Sequence, residues 1–402
     1  MISGHDILYL SSIDWTFLWQ GPQEIAVRLG AAGNRVLYVE NTGVRAPRLS
    51  DARRVARRIA TWAQSARAGG ERTVAPNVHL CSPLILPPFG PPWQRSLNRR
   101  LLARELRGAL HGLGFQPSVI WTYLPTDTAQ DLAAQLDAPQ TAVVYYCVTD
   151  FRHFAPQADR LAGSERAIAT RSDVVFASCD ELAARFAPWN ANVHIFPFGV
   201  DLALFTPDES APAPPRLSSL PRPIIGYVGA LERAVDLDLL VTLARGRPQW
   251  SWVYIGAVMR DLGPLASLPN VHLLGQQPHQ QLPRHIAQFD VAIVPYARSR
   301  SNETVVPTKI NEYLAMGKPV VSTDLPAVRA FNARHQVLTT VPPESHSFLA
   351  AIDAALSAAR DPAAIQRRRQ VAAAADWGTR LEQMSALVET QLNARAARAR
   401  VD

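Results

Sequence analysis

The sequence predicts two doubly wound α/β domains in tandem, and three observations predict it. Short apolar runs alternate with helix-length segments along the whole chain, the pattern of parallel strands covered by helices on both faces. At 402 residues the chain exceeds one ordinary core, so two domains of about 200 residues are the natural division. Midway, Pro207 to Pro223 is rich in Pro, Ala and Ser with little periodicity, and reads as a linker.

In the first half the strands are expected at Ile7–Leu10, Arg35–Val39, Val78–Cys81, Val119–Thr122, Ala142–Cys147 and Val174–Ala177. A helix crosses Gln23 to Ala32, a basic helical region precedes Val78, and the segment Val193–Asp201 closes this half. The second series places strands at Ile224–Val228, Trp252–Ile255, Val271–Leu274, Val291–Val294, Val320–Ser322 and Val337–Leu338. The expected boundaries are residues 1–205, a linker at 206–222, a second domain at 223–375 and a C-terminal helical segment at 376–402. Two such domains leave a cleft between strand ends, where doubly wound folds bind ligands.

Bulk properties narrow the class. Hydrophobic residues make up 48% of the chain, ample for two cores. Cys81, Cys147 and Cys179 are odd in number, far apart and without metal-ligand spacing, which argues for a reducing compartment and against a disulfide frame or a zinc site. The N-terminus reads as a strand and not as a signal peptide, and no run approaches 18 apolar residues. A cytoplasmic protein, at most resting on a membrane, is the expectation.

The net charge of +7 is unevenly spread. Between Arg45 and Arg107 there are 13 arginines against Asp51, Glu71 and Glu105, more than the whole molecule's excess. Arg53 to Ala63 alternates arginine pairs with Val55, Ile59 and Trp62 at helical spacing, and Trp93 to Arg107 repeats the theme with Leu97, Leu101 and Leu102. The pattern suits ordinary amphipathic helices with solvated arginine faces, and equally interfacial helices on an anionic membrane surface or a lipid diphosphate acceptor. Nucleic acid is disfavoured because no recognised nucleic-acid module accompanies the patch.

Only two lysines occur, Lys309 and Lys318; the other 39 of the 41 basic residues are arginines. A position with lysine supplies a compact ammonium where the rest of the chain supplies a planar fork. Around Lys309, Pro307 suits a helix start, Gly317 its end, and Val320-Val321 a following buried strand. Ile310, Tyr313, Leu314 and Gly317 form the core stripe at i, i+3, i+4, i+7, leaving Lys309 and Glu312 off it as surface neighbours. A helix start with a lysine is an anion site: a diphosphate gains from the N–H groups, the dipole, the Thr308 hydroxyl and Lys309, while Glu312 can accept from two ribose hydroxyls. The combination describes a nucleotide sugar. The plain alternative is a surface Lys-Glu pair worth a few tenths of a kcal/mol, about 0.3. Lys318 suits the C-terminal end of the helix dipole, a structural role.

Together these segments resemble a known family. Ile224–Leu231, Val271–Gly275, Phe289–Tyr296 and the run Pro307-Thr308-Lys309-x-x-Glu312-Tyr313 are similar to GT-B glycosyltransferases related to family 4, of the teichuronic-acid and exopolysaccharide type. Pro22–Ala26, Val36–Glu40 and Asp173–Ser178 match in the first half. The resemblance implies an N-terminal acceptor-binding domain and a C-terminal domain that holds the sugar nucleotide, with Thr308 and Lys309 on the diphosphate and Glu312 on the ribose. It also implies Gly229 beneath phosphate or the transferred sugar, Arg233 offsetting leaving-group charge, Tyr296 against donor sugar or base, and Gly275 beside the base. Structural roles for Gly229 and Tyr296 stand beside these.

The sequence departs from the family pattern in two places. The first glutamate of the paired-glutamate motif falls on Thr304, with Glu303 one place off, and the phosphate-binding Arg and Lys pair is reduced to Arg233. Tyr145–Asp150 resembles the corresponding segment of xanthan-type glucuronosyltransferases, which implies Asp150 as the general base of an inverting transfer; a helix N-cap and a base are the two readings of Asp150, and His153 is a further candidate.

The function expected is a metal-independent hexosyltransferase using a nucleoside-diphosphate donor, a UDP-sugar, and a lipid-linked or glycan acceptor in cell-surface polysaccharide synthesis, with no cofactor. A sugar-nucleotide epimerase of the same fold and a noncatalytic membrane-surface scaffold are the alternatives. A nicotinamide dehydrogenase is disfavoured because neither first βα turn carries Gly-x-Gly-x-x-Gly.

Overall fold

The computed structural model describes residues 1–40, 42, 72–83, 85–86, 88–136, 138–153, 157–208 and 210–399. The Arg53 to Ala63 basic segment lies outside them. The described chain forms two units, Met1–Pro197 together with the chain from Arg380 onward, and Phe198–Thr379.

The first unit is an eight-stranded sheet: β1 (Asp6–Leu10), β2 (Arg35–Val39), β3 (Arg72–Ala75), β4 (Val78–Cys81), β5 (Val119–Thr122), β6 (Ala142–Cys147), β7 (Val174–Ala177) and β8 (Val193–Ile195), in the order β3-β4-β2-β1-β5-β6-β7-β8. Every pairing is parallel except β3 against β4. The central strands β5, β6 and β7 are buried at every position, which is why they read as unbroken apolar runs rather than alternating ones. Sequence reading missed β3: it is a four-residue antiparallel edge strand with exposed Arg72 and Thr73 and only Val74 and Ala75 half-buried, too short an apolar signal to read.

The second unit is a six-stranded, fully parallel sheet: β9 (Ile224–Val228), β10 (Ser251–Ile255), β11 (Val271–Gly275), β12 (Val291–Val294), β13 (Val320–Thr323) and β14 (Thr339–Val341), ordered β11-β10-β9-β12-β13-β14. The order reverses between β9 and β12, the point where such sheets open a crevice at their carboxyl ends. Strand β14 begins two residues later than expected. The Asn332 side chain accepts from the N–H groups of Val337 and Leu338, so that pair closes a turn and ladder pairing starts at Thr339. Leu217, from the Pro-rich stretch, is 1% exposed in the core of this unit, so that stretch packs as part of the unit. The last helix, Trp377–Arg398, returns to the first unit, where Arg395 pairs with Asp173 at 2.9 Å. Among the described residues no helix is long and apolar enough to cross a membrane.

Candidate functional site

The Lys309 segment folds as its pattern requires. The helix spans Lys309–Ala315, the turn ends on Gly317 at φ 73°, and β13 follows. Ile310, Tyr313 and Leu314 are fully buried. The Tyr313 hydroxyl accepts from the Val228 N–H at 2.7 Å, tying the helix to the last residue of β9. At seven residues the helix has a weak dipole, so the expectation of a strong dipolar anion site is reduced to its N–H groups and the ammonium. Thr308 is helical in its backbone and its hydroxyl makes no capping bond.

The ammonium of Lys309 is held at the β9–β12 switch point. It donates to the Tyr296 hydroxyl at 2.6 Å, approaches the Tyr227 hydroxyl at 3.5 Å, and stands over both rings at 4.8 and 4.9 Å from their centroids. Two aromatic faces fix a point charge without neutralising it. Burial pushes the Tyr227 phenol well above its ordinary range, and Tyr296 and Tyr313 add to the effect, so Tyr227 stays neutral beneath the cation. Gly229 completes the group: at φ 146°, a Cβ there would lie 2.8 Å from the Tyr227 hydroxyl and 2.9 Å from Lys309 Nζ. A bare backbone is therefore the only fit beside the ammonium. Its own carbonyl lies against Gly256, the residue after β10, where a Cβ would stand 2.0 Å from it.

Glu312 faces another way, with its carboxylate 3.6 Å from His279 Nε2 on the turn after β11. Gly275 ends β11 at φ 68°. Arg233 is exposed between β9 and the helix Leu237–Gly246 and makes no hydrogen bond or ion pair among the described residues. Thr304 is 2% exposed and its hydroxyl has no partner among the described residues. The structure thus joins Gly229, Tyr296 and Lys309, adds Tyr227 and His279, which the sequence reading did not single out, and leaves Arg233 apart. A glycine at the carboxyl end of each of β9, β10 and β11 was a signal that would have found Gly256. Lys318 departs from its expected role: it donates to the Ala287 carbonyl at 2.7 Å, outside its own helix.

Asp150 lies in the first unit, after β6, and is 2% exposed. Arg152 grips it through two nitrogens at 2.8 and 2.5 Å, Arg185 approaches at 3.0 Å, and His153 Nε2 at 3.4 Å. Burial alone would raise this carboxyl; the Arg152 and Arg185 guanidiniums overcome that and hold it far below the usual carboxylate range. Behind it Glu165, 1% exposed and pushed up by burial, accepts from Tyr145 at 2.9 Å and faces Arg185 at 3.6 Å. Asp150 also accepts from the Arg152 backbone N–H at 3.1 Å, the N-cap-like contact expected of its alternative reading.

Residues 222–358 match the family profile "Glycosyl transferases group 1". The match covers about a third of the chain. A Bacillus subtilis (strain 168) protein described as a teichuronic acid biosynthesis glycosyltransferase, TuaH, is 27% identical over 232 residues, 56% of this chain and 58% of that protein. The match therefore spans little more than half the length of that relative. Among solved structures, sucrose-phosphate synthase from Thermosynechococcus elongatus superposes with a TM-score of 0.70 at 18% identity, over 96% of this chain and 98% of that one. Anabaena HepE in complex with UDP gives 0.65 at 14% identity, over 96% and 100%. The fold is GT-B.

Proposed function

We propose that this chain is a metal-independent glycosyltransferase that moves a sugar from a nucleoside diphosphate, UDP, to a lipid-linked or glycan acceptor of a cell-surface polysaccharide. The observation that carries the reading is the Lys309 ammonium, fixed between Tyr227 and Tyr296 at the switch point beside the bare backbone of Gly229. In this role Lys309 and Thr308 bind the diphosphate, Glu312 accepts from the ribose hydroxyls, Gly275 borders the base, and Tyr296 positions the ammonium next to the transferred sugar. Arg233, exposed and without a partner among the described residues, supplies a second cation to the leaving diphosphate. The two cations would do the charge stabilisation that a metal does in other transferases. The polysaccharide assignment is supported by the TuaH likeness, and UDP by the HepE complex.

Calorimetric titration with UDP tests the donor site. Lys309→Ala and Glu312→Ala should each weaken binding at least tenfold, and Lys309→Arg should not restore it, because the bulkier guanidinium lacks room beside Gly229, where the ammonium already lies 2.9 Å from a Cβ position. Wild-type affinity in both alanine variants would refute the assignment. Release of UDP coupled to consumption of acceptor would exclude an epimerase.

For the proton, the geometry favours a revision. Asp150 was the expected base, yet a carboxylate gripped by two guanidiniums takes a proton poorly. Its contact with His153 Nε2 orients that imidazole and leaves Nδ1 to accept, so we assign His153 as base and Asp150 as its positioning residue. Full loss of turnover in Asp150→Asn, with unchanged turnover in His153→Ala, would restore the first reading.

The helix Pro92–Gly112 supports a membrane-held acceptor. Its buried side carries Asn98, Leu102 and Leu106, while Trp93, 63% exposed, and Leu97, 38% exposed, share the opposite face with exposed Arg100, Arg104 and Arg107. Sedimentation with anionic lipid vesicles should fall in Trp93→Ala/Arg104→Gln; equal sedimentation of variant and wild type would remove this surface from the reading.

A further inference from the structure

A concavity bounded by described residues of the second unit lies away from Lys309. It measures about 860 Å³ and opens at the amino ends of the strands, lined by the residues just ahead of β9, β12 and β13. A space of this size holds a small organic ligand. Its described lining carries five cations, Arg222, Arg284, Lys318, Arg360 and Arg369, against Asp208 and Asp290. Apolar walls come from Phe289, Met316, Leu356 and Ile365.

Lys318 is the informative member. The four arginines are exposed, whereas Lys318 is half-buried in the turn between Gly317 and β13. Its ammonium has three donors, and the described residues accept one of them, at the Ala287 carbonyl. Asp290, the acid nearest in the electrostatic sense, is already committed: it accepts from Arg222 at 2.7 Å and from the Ile224 N–H at 2.7 Å. Among the described residues no carboxylate lies within ion-pair distance of Lys318, and Arg222 and Arg369 repel its charge. Arg369 stands over the same turn, with a guanidinium nitrogen 3.4 Å from where a Cβ of Gly317 would be, and it too has no ion pair among the described residues. Burial lowers the Lys318 ammonium to about 8, so at neutral pH it remains a cation. A half-buried cation without a counter-charge is a costly arrangement, and the compensation missing from the protein is an anion.

We propose that this concavity is a second anion site, taking a small phosphate-bearing molecule whose phosphoryl oxygens meet Lys318 and Arg369. Arginine forks match phosphate geometry and the lysine adds a point charge, while the apolar walls accommodate the molecule's organic part. A dianionic group offsets most of the three-charge excess of the described lining. The proposal is independent of the donor site, which is built on Lys309.

The probe is inorganic pyrophosphate, titrated calorimetrically into the full chain with the donor site saturated by UDP. One pyrophosphate is expected per chain. Lys318→Gln and Arg369→Gln should each weaken it at least tenfold, and Lys309→Ala, measured without UDP, should leave it unchanged. Arg369 is exposed, so its variant keeps the test valid if Lys318→Gln fails to fold. Absence of pyrophosphate binding under saturating UDP overturns the proposal. So does loss of binding in Lys309→Ala, or equal binding by wild type and Arg369→Gln.

Discussion

Replacing Lys318 by methionine should stabilise the protein at neutral pH and lose that advantage in alkali. The fall of the ammonium from 10.5 to about 8 corresponds to about 3 kcal/mol at about 1.4 kcal/mol per pH unit. The folded proton affinity is the lower one. Below pH 8 both states are protonated and the folded state bears the whole cost of the buried charge. Between about 8 and 10.5 the unfolded chain holds the proton that the folded chain has released, so wild-type stability rises with pH through that window. Methionine removes the charge and also the bond to the Ala287 carbonyl, which gives back about 1 kcal/mol. The net expectation is a gain of about 1–2 kcal/mol at pH 7 that vanishes or reverses by pH 10.

Urea unfolding of the variant and the wild type at pH 7, 8.5 and 10 measures the difference, in which other titrating groups cancel. Because the chain has two lysines, 13Cε-lysine labelling gives two side-chain resonances, and Lys309→Ala assigns them. A Lys318 resonance that titrates above pH 10, or a stability difference constant across pH, would refute the reasoning. Pyrophosphate should raise the titration midpoint of Lys318, since an anion favours its charged form.

Three further outcomes follow from the same geometry. Gly229→Ala places a methyl 2.8 Å from the Tyr227 hydroxyl in a backbone region that disfavours side chains, and should cost about 1–3 kcal/mol and displace Lys309, read as weaker UDP binding in calorimetry. Tyr313→Phe leaves the Val228 N–H unpaired in the core and should cost about 1–3 kcal/mol in urea unfolding. Asp150→Asn should lower stability by about 3 kcal/mol at pH 7, because it leaves the Arg152 and Arg185 guanidiniums with Glu165 in place of two carboxylates. Since the Asp150 carboxyl is depressed, its contribution is present above pH 4 and lost as acid protonates it, so variant and wild type should converge at low pH in thermal denaturation.

The strands of both sheets were legible because a parallel strand buried on both faces must be an apolar run, and β5, β6, β7, β9 and β12 are such runs. What was not legible is set by particular side-chain contacts and not by pattern. The four-residue edge strand β3 has no long apolar run, and Asn332 delays β14 through turn bonds to residues five and six places on. The same holds at the sites. Lys309, Gly229 and Tyr296 stood out as residue types at strand and helix ends, but Tyr227 reads as one more buried aromatic until the fold turns its ring under the ammonium. Asp150 stood out as an acid at a strand end; that two arginines would engage it depends on Arg185, on the helix Asp180–Phe186.

The two lysines occupy opposite ends of one short structural piece. Lys309 opens the helix at the carboxyl side of the sheet, and Lys318 follows its last turn at the amino side. Both ammonium groups lack an ion pair among the described residues, but they are held differently: Lys309 by two phenol rings, Lys318 by a single carbonyl. An anion drawn to Lys318 would act on the turn that fixes the end of the donor helix, and linkage then requires UDP and pyrophosphate to change each other's affinity by the same factor, whatever its sign. Titrating each in the presence and absence of the other measures that factor from both directions. Helix and turn are joined by the Gly317 N–H to Leu314 and Lys318 N–H to Tyr313 bonds, and Tyr313 is the residue that ties the helix to β9. If the two sites communicate, Tyr313→Phe should reduce the coupling while leaving each ligand able to bind alone.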